Sequence, residues 1–221
     1  MPYGRTAADL LSGLSVGRSC EPIGSGAIVL RGFADGCARE LLRAVEQVSV
    51  VAPFRHMVTP GGHTMSVAMT NCGDLGWVTD RGGYRYQATD PLTNRAWPAM
   101  PELLCTLATE AAEVASYAKF VPDACLINRY RPGARLSLHQ DRNERSLDAP
   151  IVSVSLGLPA IFLFGSERRT DRPRRIPLEH ADIVVWGGPT RLFFHGVGTL
   201  ADGEHPLTGR YRINLTFRKA G

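Results

Sequence analysis

The sequence lacks any long apolar run: nowhere do about 18 apolar residues follow one another, and no basic N-terminal stretch precedes an apolar segment. We therefore predict neither a membrane span nor a signal peptide. The five cysteines are odd in number and include no Cys-x-x-Cys pair, which argues against a disulfide framework and against a zinc ribbon. These absences predict a cytoplasmic protein that has no membrane partner.

Lysine is almost missing as well, because Lys119 and Lys219 are the only two in the chain. The net charge of +4 is too small to bind a polyanion over the whole surface, so a local patch would be needed. Residues 166–175 hold five arginines against two acidic residues and could be such a patch. The simpler interpretation of this segment is a solvated, mobile loop.

The 221 residues, 44% of them apolar and 21% charged, indicate an ordinary globular chain with one substantial core. This composition excludes a disordered chain, collagen and a coiled coil. We predict one compact domain with three parts, which are a loose arm over residues 1–26, an N-terminal extension over 27–123 and a β-rich core over 124–221.

The extension is predicted to contain two amphipathic helices that support a sheet. Asp35 would cap the first, whose apolar residues Leu41, Leu42, Val45 and Val48 follow helical spacing, and Pro101 would open the second. Between them, residues 58–87 are rich in glycine and polar residues but also carry several large side chains. Long ordered segments of this kind usually bind or cover something.

The core is predicted to be a β-sandwich or jelly roll, because short β-like runs alternate there with turn residues. There are seven such runs, at residues 124–130, 136–139, 151–158, 161–164, 183–186, 192–195 and 211–217.

The pair His139 and Asp141 is the first candidate for chemistry. Residues two apart on a strand point to the same face, so this imidazole and carboxylate could bind one metal ion. His195, at the end of another apolar run, could complete a triad of two histidines and one carboxylate, which leaves positions open on iron(II). Alone, the His-x-Asp spacing is a weak signal.

Polar residues occupy every second position of the last predicted strand, in the order Arg212, Asn214, Thr216 and Arg218. This row could simply face solvent. If it faces inward, its arginines need an anion, because an unpaired buried charge is costly, and a dicarboxylate bound to the metal would supply one. Another run would add a row of the same kind with Leu126, Asn128 and Tyr130.

Three long segments, at residues 60–73, 122–130 and 212–218, resemble the AlkB family of iron(II)- and 2-oxoglutarate-dependent dioxygenases that repair alkylated bases. The resemblance runs from about residue 27 to the last residue. It implies a mainly β fold of the α+β class, a double-stranded β-helix (jelly roll) with N-terminal supporting helices and a nucleotide-recognition lid at about residues 58–87. Residues 124–221 would form the catalytic core.

The same resemblance implies a role for each matching residue. The iron ligands would be His139, Asp141 and His195. The 2-oxoglutarate site would be formed by Leu126, Asn128, Tyr130, Arg212, Asn214 and Arg218. The substrate would be contacted by Thr59, Met69, Trp77, Tyr84, Arg135, Arg142, Asn143, Glu144 and Arg169, with Trp77 stacking on the target base against His139.

The activity implied is oxidative demethylation of bases such as 1-methyladenine and 3-methylcytosine, with iron(II), 2-oxoglutarate and O2, releasing formaldehyde, succinate and CO2. The partner would be single- or double-stranded DNA, with RNA as a further candidate, and we expect a monomer. Asn143 departs from the acidic residue of the family, which predicts weaker discrimination in favour of cationic lesions. Two alternatives stay open, a 2-oxoglutarate oxygenase of a small molecule or protein side chain and a non-catalytic, cupin-like metal-binding module.

Overall fold

The computed structural model of the protein describes residues 19–221. Within this part of the chain there are two α-helices, α1 at Ala38–Val51 and α2 at Glu102–Val114, with short 3-10 helices at Asp35–Cys37 and Gly188–Thr190. The fourteen strands are β1 Cys20–Gly24, β2 Ala27–Leu30, β3 Arg55–Val58, β4 Thr64–Gly73, β5 Gly76–Asp80, β6 Gly83–Gln87, β7 Ala124–Tyr130, β8 Leu136–His139, β9 Ile151–Gly157, β10 Ala160–Phe164, β11 Arg174–Leu178, β12 Ile183–Trp186, β13 His195–Val197 and β14 Arg212–Arg218.

The strands form two antiparallel sheets and a separate hairpin. The larger sheet has the order β1-β2-β12-β9-β14-β7-β4-β3, the smaller one β11-β10-β13-β8, and β5 pairs with β6. Apolar side chains of both sheets meet between them, as where Trp186 of β12 packs with Phe162 of β10. The predicted mainly β jelly roll is confirmed.

The helices cover the outer face of the larger sheet. Leu41 of α1 and Leu107 of α2 share one buried cluster with Ile213, Leu215 and Phe217 of β14. Because side chains alternate along a strand, the polar residues of β14 must then point between the two sheets. Every residue of β14 is buried, so the solvent-facing alternative for this polar row is wrong.

Three segments differ from the sequence-based predictions. Strand β11 includes Arg174 and Arg175, the last two residues of the arginine-rich segment, so the mobile-loop interpretation is wrong for these two residues. The run predicted at 192–195 is instead a turn followed by β13, which begins at His195. Residues 58–87 are mostly strand rather than loop.

The predicted N-terminal features also need correction. The loose arm over 1–26 is wrong for Cys20–Gly24, which pairs with β2 at the edge of the larger sheet, and residues 1–18 lie outside the described part of the chain. Asp35 does not cap α1, because it lies inside a 3-10 turn and the residue before the helix, Cys37, makes no side-chain cap. The predicted helix opened by Pro101 is confirmed by α2.

Gly157 ends β9 with a left-handed backbone, φ +89°, where its amide donates a hydrogen bond to His180 Nδ1 at 2.9 Å. A β-carbon here would overlap Thr208 Oγ1 and the carbonyl oxygen of Tyr211. The close approach fixes the turn that leads into β14. Gly133 has a similar φ of +85° but open space around it.

We predict that Gly157→Ala lowers the free energy of unfolding by about 2–5 kcal/mol, the sum of a strained backbone and an overpacked contact. Gly133→Ala is the matched control, because it adds the same strain without the overlap, and should cost about 1–2 kcal/mol. Urea unfolding of both variants measures the difference. Equal losses would show that the chain around Gly157 moves freely enough to accept a methyl group.

Candidate metal centre and anion pocket

The sheet register brings the three predicted metal ligands together. His195 at the start of β13 lies directly opposite His139 at the end of β8, and Asp141 follows two residues after His139. One ligand atom from each residue lies within 4.8 Å of the others. The triad therefore sits at the end of the smaller sheet.

Both imidazoles are oriented by carbonyl groups of their own chain segment. His139 Nδ1 lies 2.9 Å from the Ser137 oxygen and His195 Nδ1 lies 2.9 Å from the Phe193 oxygen. Since a carbonyl accepts, each Nδ1 carries the proton and each Nε2 keeps a lone pair. The Nε2 atoms lie 3.7 Å and 3.6 Å from the two oxygens of Asp141, as expected of a divalent-metal site.

The electrostatics favour the metal-binding protonation states of His139 and Asp141. Burial, and next the adjacent His195, lower the pKa of His139 to about 4. Burial raises the pKa of Asp141, but Arg218 and the two histidines lower it more strongly, so the net pKa is well below its usual value. Neutral imidazoles and an ionised carboxylate are the forms that bind metal.

A second polar group surrounds Arg212, the first residue of β14. Arg212 is 1% exposed, and its Nη2 donates to Ser155 Oγ at 2.9 Å. Its Nε and Nη1, like the Tyr130 hydroxyl, are buried without a hydrogen-bond partner among residues 19–221. Burial lowers the pKa of Arg212. Because burial of an unpaired guanidinium is costly, these donors make a candidate site for an anion.

Polar pairs connect the two ends of this row. Arg212, Asn214 and Thr216 lie opposite Tyr130, Asn128 and Leu126 on β7, so both predicted 2-oxoglutarate rows share one inner face. The Asn214 amide is held by Ser153 Oγ at 2.8 Å and by the Val154 carbonyl at 3.0 Å. Arg218 differs from Arg212, since its Nε donates to Asp141 Oδ2 at 2.9 Å.

The predicted lid centres on the β5–β6 hairpin. Trp77 stacks on Tyr84, with ring centroids 5.7 Å apart and planes 22° apart, and Tyr84 is 47% exposed. The side-chain amide of Asn71 holds the Trp77 backbone, accepting from its N–H and donating to its carbonyl, both at 3.0 Å. Trp77 is only partly buried, unlike Met69 of β4, which is wholly buried in the inner core.

The other predicted substrate residues fall into two groups. The arginines and Asn143 are exposed, and Thr59 is part of a turn in which its Oγ1 accepts from the His63 amide. Glu144, in contrast, is buried and accepts a hydrogen bond from Tyr86 at 2.8 Å. The exposed members are Arg135, Arg142, Asn143 and Arg169, the last of which lies over the Phe194 ring.

Four residues of the site were missed from the sequence, one of them Tyr86, whose hydroxyl donates to Glu144. Ser153 and Ser155 occupy alternate positions of an apolar run, a signal that could have marked an inward polar row on β9. Arg191, 3% exposed, donates to the backbone carbonyl of Asp141 at 2.7 Å. Nothing in its sequence context separates it from a surface arginine.

Comparisons with known proteins show the family of this chain. The family model of the 2OG-Fe(II) oxygenase superfamily matches residues 26–218. The chain is 61% identical over 200 residues to the "Alpha-ketoglutarate-dependent dioxygenase AlkB" of Salmonella typhimurium, covering 90% of this chain and 93% of that protein. The protein of the same name from Escherichia coli is 60% identical over 201 residues, or 91% and 93% of the two chains.

A solved structure, "The structure of OsALKBH1", matches with a TM-score of 0.79 at 27% identity and covers 91% of this chain and 100% of that one. Together the family match, the relatives and the triad confirm the prediction of an enzyme that uses iron(II), 2-oxoglutarate and O2. The chain belongs to the AlkB family of the 2OG-Fe(II) oxygenase superfamily.

Proposed function

We propose that this chain removes N-methyl groups from alkylated nucleic-acid bases, with His139, Asp141 and His195 as the iron(II) ligands. The observation that carries the proposal is the placement of this triad and of the unpaired Arg212 on the inner face of one jelly roll. Similarity to the AlkB relatives supports nucleic acid as the substrate class. When bound, iron(II) and 2-oxoglutarate supply the oxidising chemistry that no side chain provides.

The residues around the co-substrate would bind and orient it. Arg212 and the Tyr130 hydroxyl have free donors for a carboxylate, and Leu126 adds an apolar wall beside Asn128. Asn214, fixed by β9, would keep the polar row in place. Arg218 already pairs with Asp141, so we assign it to holding that ligand beside the co-substrate, and Arg212 to anchoring the distant carboxylate.

The lid would hold the target base. Trp77 and Tyr84 offer a stacked aromatic surface at the protein exterior, and stacking on such a surface recovers part of the energy of removing a base from its helix. The nucleic-acid backbone would be contacted by Thr59, Arg135, Arg142 and Arg169. Met69 is too deeply buried to touch a base and would support the lid from below.

These features favour the demethylase over the two alternatives. A cupin-like module without turnover would leave Arg212 buried and unpaired, and an oxygenase of small molecules would have no use for an exposed Trp77–Tyr84 stack. Strand preference, RNA as a substrate, the monomeric state and the cytoplasmic location stay predictions. Among residues 19–221, no helix has the length and apolar character of a membrane span.

Turnover on an oligonucleotide that carries one 3-methylcytosine tests the function. We expect formaldehyde and succinate in nearly equal amounts, and at least about a 100-fold loss in Asp141→Ala, because even replacing a residue that only orients a metal ligand costs about 10- to 100-fold. Detection of succinate that does not respond to any methylated nucleic acid would favour the small-molecule alternative. An Asp141→Ala variant of normal activity would exclude this residue from the triad.

Arg212→Ala should raise the 2-oxoglutarate concentration needed for half-maximal turnover by about 10- to 100-fold, the value of a hydrogen-bonded charge pair. The requirement for oligonucleotide should change little. Arg210→Ala removes an exposed arginine paired with Asp202 and serves as the control. Parallel rises in both requirements would mean that Arg212 is structural.

Trp77→Ala should weaken binding of the methylated oligonucleotide by about 1–3 kcal/mol, the worth of one aromatic stack on a base. Trp77→Phe should lose less, because it keeps a ring. Affinity for 2-oxoglutarate, measured without nucleic acid, is the internal reference. A comparable loss of both affinities would place Trp77 in the structural core and not in the base site.

A further inference from the structure

Glu144 lies where the lid meets the metal centre. Its side chain is 1% exposed, and Oε1 accepts the Tyr86 hydrogen bond and lies 3.4 Å from Arg218 Nε. Oε2 lies 3.2 Å from Arg191 Nη2, outside hydrogen-bonding geometry. One buried carboxylate thus joins strand β6 of the lid to two buried arginines.

Those two arginines hold Asp141 from both sides. Arg218 binds its carboxylate, while Arg191 binds its backbone carbonyl and, through Nε, the Ala149 carbonyl at 3.0 Å. The carboxylates of Asp141 and Glu144 balance the charge of the two arginines. Loss of one partner from such a buried group leaves an uncompensated charge. The position of Glu144 therefore bears directly on the position of a proposed metal ligand.

The lid end of this connection lies beside the base-stacking residue. Tyr86 is directly opposite Trp77 in the hairpin, so their side chains share one face and are close neighbours. A shift of the Trp77 ring on binding a base would shift Tyr86. Because the Tyr86 hydroxyl is hydrogen-bonded to Glu144, Glu144 would then shift as well.

We propose that Tyr86 and Glu144 are positioning residues that couple occupation of the lid to the placement of Asp141. This rests on the proposed function, since it requires a base under the lid. Glu144 acts through Arg218 and Arg191 and does not contact the base, because its side chain is buried and Oε1 already accepts the Tyr86 hydrogen bond. Binding of a methylated base then favours the arrangement of Asp141 that holds metal.

Reciprocity between two coupled sites gives a test. Co(II), as a substitute for iron, is titrated into the metal-free protein with 2-oxoglutarate, with and without a 3-methylcytosine oligonucleotide, and oligonucleotide binding is measured alongside. In the wild type we expect the oligonucleotide to tighten Co(II) binding by about fivefold or more, the usual lower range of coupling between sites. In Tyr86→Phe, which loses only the hydroxyl, this enhancement should disappear.

Tyr117→Phe is the matched control, because it removes a tyrosine hydroxyl whose 2.7 Å hydrogen bond to the Gly26 carbonyl belongs to another part of the fold. It should keep the full enhancement. An enhancement retained in Tyr86→Phe, or lost equally in Tyr117→Phe, would overturn the coupling, as would a wild type that binds the oligonucleotide without any enhancement. Failure of the wild type to bind any methylated oligonucleotide would instead overturn the proposed function.

Turnover provides a second measurement, which would not change if the Tyr86 hydroxyl had only a structural role. Tyr86→Phe should lower the ratio of formaldehyde to succinate by about tenfold, the value of one hydrogen bond to a charged group. The half-saturating 2-oxoglutarate concentration should stay within about twofold of wild type, because Arg212 is unchanged. An unchanged ratio would overturn the proposal.

Discussion

Strand β14 must bury both of its faces, and the rest of the site depends on this constraint. Its apolar face is covered by α1 and α2, which forces a row with an arginine at each end into the space between the sheets. Buried charge needs partners. At one end of the row Arg218 forms an ion pair with Asp141. At the other end, two nitrogen atoms of Arg212 have no hydrogen-bond partner among the described residues. The strand thus specifies both a fixed carboxylate beside the histidines and a place for an anion.

Much of this could be predicted from the sequence, for physical reasons that are particular to each element. The two-residue spacing of His139 and Asp141 and the alternation along β14 are local patterns, which survive folding because a strand fixes which side chains share a face. Arg191 and Tyr86 could not be found in this way. Their contacts span 50 residues from Arg191 to Asp141 and 58 from Tyr86 to Glu144, and no local pattern encodes such distances. Strand β11 was missed because its arginines match the composition of a loop.

Two residues after Asp141, Asn143 and Glu144, differ in charge and in burial, and only the fold shows the difference in burial. Asn143 is exposed and uncharged, while the neighbouring Glu144 is buried among Tyr86, Arg191 and Arg218. Movement of Glu144 toward a cationic base would break these contacts and leave two arginines short of a partner. Under the proposed function, the charge missing at position 143 would therefore not be replaced from position 144. Discrimination in favour of cationic lesions would come instead from the aromatic surface of the lid, where a ring face attracts a positive charge.

The lid and the core differ in how firmly they are held, and this difference matters for catalysis. The inner strands of the two sheets pair on both sides, whereas β5 and β6 pair only with each other within the described residues. A hairpin of two strands is marginal alone, so its position depends on the few polar contacts that tie it down. Asn71 fixes the backbone of Trp77 at the base of the hairpin, and Glu144 fixes Tyr86 beside the metal centre. Thr79 Oγ1 adds a hydrogen bond to the Val58 carbonyl. Under the proposed function, the carboxylate that pairs with the arginines around Asp141 therefore also helps to position the hairpin that would hold the base.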